Sequence, residues 1–171
     1  MSMAMTETTG PLTPASPAPR RIGLRLALAA LALIELGNMV TVLALINFDL
    51  SPLGAIVKLN FVGVPVLALA ALAFALIGHF RHAITALGAI VLLTWLKYMS
   101  LIPDGFYYGN LLLNLSNASQ AIIFPLLGIA ASALAVRGER IWLATILVAI
   151  PTLAALFNAL AFLIAVTIYG F

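Results

Sequence analysis

The stretch Ile22–Ile46, IGLRLALAALALIELGNMVTVLALI, decides the fold class. It is longer than the roughly 20 apolar residues a helix needs to cross the hydrocarbon core of a bilayer. A surface helix of a soluble protein would carry a polar face along its whole length. This run has only Arg25 near its start and Glu35, Asn38 and Thr41 further on. Arg20, Arg21 and Arg25 at its head give it the outline of a secretory signal. The apolar part of such a signal is about half as long and ends at a small-residue cleavage site, so a retained span is expected.

Four further runs of the same kind follow, at about 53–77, 83–102, 111–136 and 141–168. They are separated by short polar or turn-forming segments: Gly78-His79-Phe80-Arg81-His82, Pro103-Asp104-Gly105 and Arg137-Gly138-Glu139-Arg140. Phe106, Tyr107 and Tyr108 follow the second of these and suit an interfacial aromatic belt. With 64% hydrophobic and 8% charged residues, the chain lacks the polar surface that a soluble domain requires. The reading is an all-α polytopic membrane bundle of five transmembrane helices, occupying 22–171 as one unit. Residues 1–21, with Pro11, Pro14, Pro17 and Pro19, cannot bury a core and are expected to form a disordered, proline-rich cytoplasmic tail.

Basic residues near span ends set the orientation. Arg20, Arg21 and Arg25, then Arg81, then Arg137 and Arg140 fall in segments that five spans place on one side, whereas Asp49 and Asp104 fall on the other. The N-terminus is therefore expected in the cytoplasm and the C-terminus outside. The location expected is the cell membrane, and the Ala- and Leu-rich usage points to a bacterial inner membrane. The odd number of spans and their dissimilar polar residues offer no matching halves, so no internal repeat is expected.

Cysteine is absent, which excludes disulfides, thiolate metal sites and a cysteine nucleophile. Paired aspartates, a Ser–His or Ser–Lys arrangement and an HExxH motif are also missing, and no enzyme activity is expected. His79 and His82 flank Arg81 at a span boundary without acidic neighbours. They read as boundary residues rather than metal or haem ligands. No cofactor is predicted, although a bound lipid fits the composition. Nucleic acid is not among the expected partners.

Chemistry is left to the polar residues inside the spans. Glu35 lies near the middle of the first, at a cost of about 2.5–3.5 kcal/mol on insertion scales unless it is partnered. Applying the topology, Glu35, Asn38, Lys58, Asn60, Lys97, Asn114, Asn117, Gln120 and Asn158 all fall in the outer half of the bilayer or near its middle. Pro65, Pro125 and Pro151 lie near the centres of their spans, where each frees a carbonyl four residues back and kinks its helix. Together they predict an outward-facing polar cavity floored by Glu35.

Two readings of this cluster stand side by side. In one, Glu35 pairs with Lys97 or Lys58 and the amides are interhelical hydrogen-bond glue, worth about 0.6–2 kcal/mol each. In the other, the cluster handles a ligand, an ion or a proton. The functional expectation is an accessory or scaffold subunit of a larger membrane complex, with a polar pocket that holds a lipid or small ligand. The alternative is a small oligomeric proton- or cation-coupled transporter or channel using Glu35. Membrane lipids, other membrane subunits or further copies of the chain are the expected partners. Ala68, Ala71 and Ala75 are the candidates for close helix packing.

Overall fold

The computed structural model of the chain describes residues 19–45, 54–101 and 111–169. The proline-rich segment before Pro19, Asp49 and the Pro103–Tyr108 connection lie outside the described residues. Those described form helices α1 (Pro19–Leu45), α2 (Ala55–Ile77), α3 (Phe80–Leu101), α4 (Leu111–Ala118), α5 (Phe124–Arg137) and α6 (Ile141–Tyr169). A π-helical turn, Ser119–Ile123, joins α4 to α5, so that the two make one span. The described residues thus include five helical segments long and apolar enough to cross a membrane. Large apolar side chains stand exposed on each of them, among them Leu26, Val62, Leu96, Leu126 and Phe157. On a soluble protein such patches would be a liability; against lipid tails they are the natural outer surface.

Two helix starts precede the sequence expectation. α1 begins at Pro19, so the last residues of the tail segment 1–21 belong to the helix. Proline is well suited to a first turn, where its missing N–H has no helical acceptor to satisfy. α3 begins at Phe80, which places Arg81 and His82 inside its first turn rather than in a loop.

The reason for that early start is the turn chemistry. Gly78 adopts a left-handed conformation, φ +84°, its N–H donates to the Ala75 carbonyl and that of His79 donates to Phe74. This closes α2 in two residues and lets α3 begin at once. Sixty positions later the device recurs: Gly138 has φ +72°, its N–H donates to Ala135 and that of Glu139 to Leu134.

The recurrence extends along both hairpins. Pro65 and Pro125, Ala71 and Ala131, Ala75 and Ala135, Thr85 and Thr145, and Leu87 and Leu147 are identical pairs at the same spacing of sixty. The hydroxyls of Thr85 and Thr145 each donate to the carbonyl four residues back, at 2.9 Å. Ala68 and Gly128, like the alanines below them, are buried at equivalent places. The hairpins α2–α3 and α4/α5–α6 thus run in the same direction and share these residues at one spacing.

Packing follows this duplication. α2 packs on α3, α3 on α5 and α5 on α6, with α3 and α6 also meeting across the bundle. α1 fills the remaining gap, lying against both α6 and α2. Its buried face is Leu24, Leu28, Leu31, Ala32, Glu35 and Met39, a spacing built on steps of three and four residues that keeps one stripe inward. Glu35 is on that stripe. Ala68, Ala71 and Ala75 are fully buried, as their small size led us to expect.

The arginines gather at one end. Arg25 approaches the α2 cap, within 3.3 Å of where a Cβ on Gly78 would stand, and the Arg81 guanidinium overlies Gly138 at the α5 cap. Both positions bring a cation to the negative end of a helix. Replacing Gly78 by alanine is expected to cost about 1–2 kcal/mol, from the left-handed backbone alone. Gly138→Ala should cost more, because its Cβ would also collide with Arg81. Melting temperatures of the two variants in one detergent check that order.

Candidate functional site

Half-way along the bundle the duplication becomes asymmetric, and a cavity of about 120 Å³ opens. Glu35 reaches it from α1, Trp95 and Tyr98 from α3, Gln120 and Phe124 from the π turn and the start of α5, and Pro151 and Asn158 from α6. Val91 and Pro151, Trp95 and Ala155, and Tyr98 and Asn158 are equivalent positions in the two hairpins, and all of them line the cavity. The space therefore lies between α3 and α6. It exists because the second copy carries Ala155 and Asn158 where the first carries Trp95 and Tyr98. The cavity faces the end of the bundle away from the arginines, and Thr94, Ala155 and Asn158 at its mouth are exposed.

Glu35 is 9% exposed, and its carboxylate accepts a hydrogen bond from the Thr152 hydroxyl of α6. Thr152 is itself buried, one residue after Pro151. Neither lysine of the sequence reading lines the cavity, and the partner found for the carboxyl is a hydroxyl rather than an ammonium. Lys58 and Lys97 are half-buried and have interactions of their own.

The α4/α5 wall has a specific construction. Pro125 has no N–H, so the carbonyl of Ala121, four residues back, is deprived of its helical donor. The indole Nε1–H of Trp95 takes that place, donating to the Ala121 carbonyl at 2.9 Å. Directly before the proline the helix widens, and the N–H of Phe124 reaches back five residues to Ser119. Such π turns insert an extra residue and re-aim the side chains around it. Here Gln120 is in the turn and on the cavity wall.

Of the residues singled out from the sequence, the structure brings Glu35, Gln120 and Asn158 to one cavity, together with Pro151. Asn38, Lys58, Asn60, Lys97, Asn114 and Asn117 do not line it. Asn60, 1% exposed, and Asn38 instead hold buried amide nitrogens with no hydrogen-bond acceptor among the described residues. Pro65 and Pro125 are within their spans as expected, with Pro125 buried at the start of α5. Sequence reasoning missed Trp95, Tyr98, Phe124 and Thr152. An indole one span away from a mid-span proline was the available signal for the first, since a freed carbonyl needs a donor.

At the arginine end, the rings of His79 and His82 stand 5.8 Å apart and Phe74 lies 5.2 Å from His82. Among the described residues no group of three or more His, Cys, Asp or Glu is placed to hold a metal ion. The comparisons with known proteins return nothing: no family model, curated protein or solved structure matches the chain.

Proposed function

We propose that the protein is a membrane-embedded accessory subunit of a larger assembly, and that its cavity holds a lipid or small ligand. The observation that carries this reading is the unpacked half of α6. Between Leu153 and Ile168 no described side chain is buried, and Asn158 stands exposed within that stretch. A lipid-facing amide is costly, and a helix half that buries no described side chain is a natural seat for another helix. The cavity mouth lies on the same surface, so a partner bound there would also close the site. In this reading the arginine end faces the cytoplasm of a bacterial inner membrane and the cavity opens toward the outside.

A carrier or channel in which Glu35 exchanges a proton or cation draws on the same buried carboxyl. Against it stands the other half of the bundle, where Leu28, Ala71, Ala75, Ile84, Ala131 and Ala144 are fully buried and the hydroxyl of the buried Thr145 is turned back onto the Ile141 carbonyl of its own helix. Such a pocket with one closed end suits holding better than passage.

Purification from native membranes in a mild detergent tests the proposal. Co-elution of other membrane proteins in fixed ratio is expected. A homogeneous monomer or homo-oligomer would overturn the accessory-subunit reading and make proton or solute flux, with Glu35→Gln as the control, the next measurement.

A further inference from the structure

We infer that the ligand of the cavity is a small organic ammonium cation, held by the Glu35 carboxylate and by the faces of Trp95, Tyr98 and Phe124. The inference rests on the reading that the cavity takes a small ligand, and it names the class.

Charge is the first argument. Among the described residues the lining contains one carboxylic acid and no lysine, arginine or histidine. Thr152, the partner of that acid, is neutral and offers a single donor. A buried carboxylate at this depth is left in want of a cation.

The kind of cation follows from the other walls. Three aromatic side chains line the same space. A ring face carries negative potential and attracts an ammonium or its methyl groups, most strongly where water is excluded. The Trp95 indole is pinned by its bond to the Ala121 carbonyl, so this part of the wall is set before anything binds. A metal ion is a poorer fit. Calcium or magnesium demands six or more oxygens, and ring faces cannot replace the water such an ion would shed. A neutral apolar guest would leave the carboxyl without a counter-charge.

Size and polarity narrow the class further. An engineered apolar cavity of roughly 150 Å³ takes benzene, which sets the scale at about six heavy atoms inside the space here, with any further atoms of the guest at its open mouth. Gln120 and Asn158 stand on the walls away from the carboxyl helix and supply amide groups for a hydroxyl or N–H on the far side of the guest.

The test uses the full chain in lipid nanodiscs. The protein has two tryptophans, and Trp142 packs beside Gly23 at the arginine end, so a Trp142→Phe background leaves Trp95 as the sole indole reporter. Choline and its neutral isostere 3,3-dimethylbutan-1-ol are titrated separately. A saturable change in Trp95 emission is expected with choline, with binding of the neutral compound weaker by about tenfold or more. Glu35→Gln should weaken choline by a similar factor and bring the two compounds to parity. Ala155→Phe, which leaves the carboxyl untouched but fills the cavity, should abolish binding of both.

Equal binding of the two compounds to the unmodified site would overturn the cation class while leaving a ligand pocket in place. A choline affinity unchanged in Glu35→Gln would do the same. The absence of a saturable change with either compound would overturn this inference and the ligand-pocket part of the proposed function together. The comparison of the two compounds needs no variant of the cavity, so a folding failure of Glu35→Gln does not spare the inference.

Discussion

Replacing Gly88 with leucine is expected to be among the most damaging single changes in the bundle. Gly88 of α3 and Gly128 of α5 face each other at the closest approach of those two helices. A Cβ on Gly88 would meet the Ser132 Oγ and would stand 3.1 Å from the Gly128 carbonyl oxygen. A Cβ on Gly128 would stand 3.3 Å from the Gly88 carbonyl and 3.2 Å from Val91 Cγ1. Small residues are what allow membrane helices to gain van der Waals contact at this range. Alanine at position 88 is therefore the mild case. The serine hydroxyl can rotate away, and the carbonyl contact needs a shift of a few tenths of an ångström, for a cost near the bottom of the roughly 1–3 kcal/mol of overpacked cores. Leucine adds three carbons against backbone that has nowhere to go, and its cost is expected to reach or exceed about 3 kcal/mol. Melting in detergent measures both. A leucine variant as stable as the alanine variant would mean that α3 and α5 are not in contact there.

The same contact has a consequence for the site. Val91, one turn beyond Gly88, lines the cavity, and Phe124 on the opposing helix does so as well. Separating α3 from α5 would therefore also separate two cavity walls. Ligand binding should be lost in the leucine variant even at temperatures where the helices persist.

How much of this was legible in the chain depends on what kind of order is asked for. Span length and apolarity are local properties, and so the five spans could be read directly. The inward position of Glu35 was also within reach, because Leu24, Leu28, Leu31 and Met39 share its spacing. A common depth was the expectation for the polar residues, but depth is not direction. Asn114, Asn117 and Gln120 recur at steps of three, and each such step turns about 60° short of a full circle. A row that drifts in this way cannot present all its members to one cavity. Of these only Gln120 does so, and it does so from a π turn that hydropathy cannot reveal.

The duplication was hidden for a different reason. Polar residues draw the eye in an apolar chain, and here they differ between the copies: Lys58 is matched by Ala118, and Lys97 by Phe157. What the copies share is backbone chemistry, namely a proline, a left-handed glycine thirteen residues later and a threonine after the turn. These residues fix kink, stop and start, which is what a hairpin needs in order to be the same hairpin.

The bond between Trp95 and Ala121 yields the second large effect, and it is best read through a pair of changes. Trp95→Phe removes the indole N–H while keeping most of the ring. The Ala121 carbonyl is then left without a donor, because Pro125 cannot supply one, and an orphaned acceptor in a part-buried setting costs about 1–3 kcal/mol. In a Pro125→Ala background the backbone N–H returns at position 125, four residues after Ala121. The π turn is then free to relax toward ordinary helix, and the indole is no longer needed. Trp95→Phe should be markedly less costly there, with a coupling of about 1 kcal/mol or more between the two sites. Additive losses would mean that the tryptophan contributes only its ring area. Because Gln120 is held in that turn, relaxing it should also move an amide off the cavity wall. Pro125→Ala is thus expected to weaken ligand binding even if it stabilises the fold, a separation that simple loss of packing would not produce.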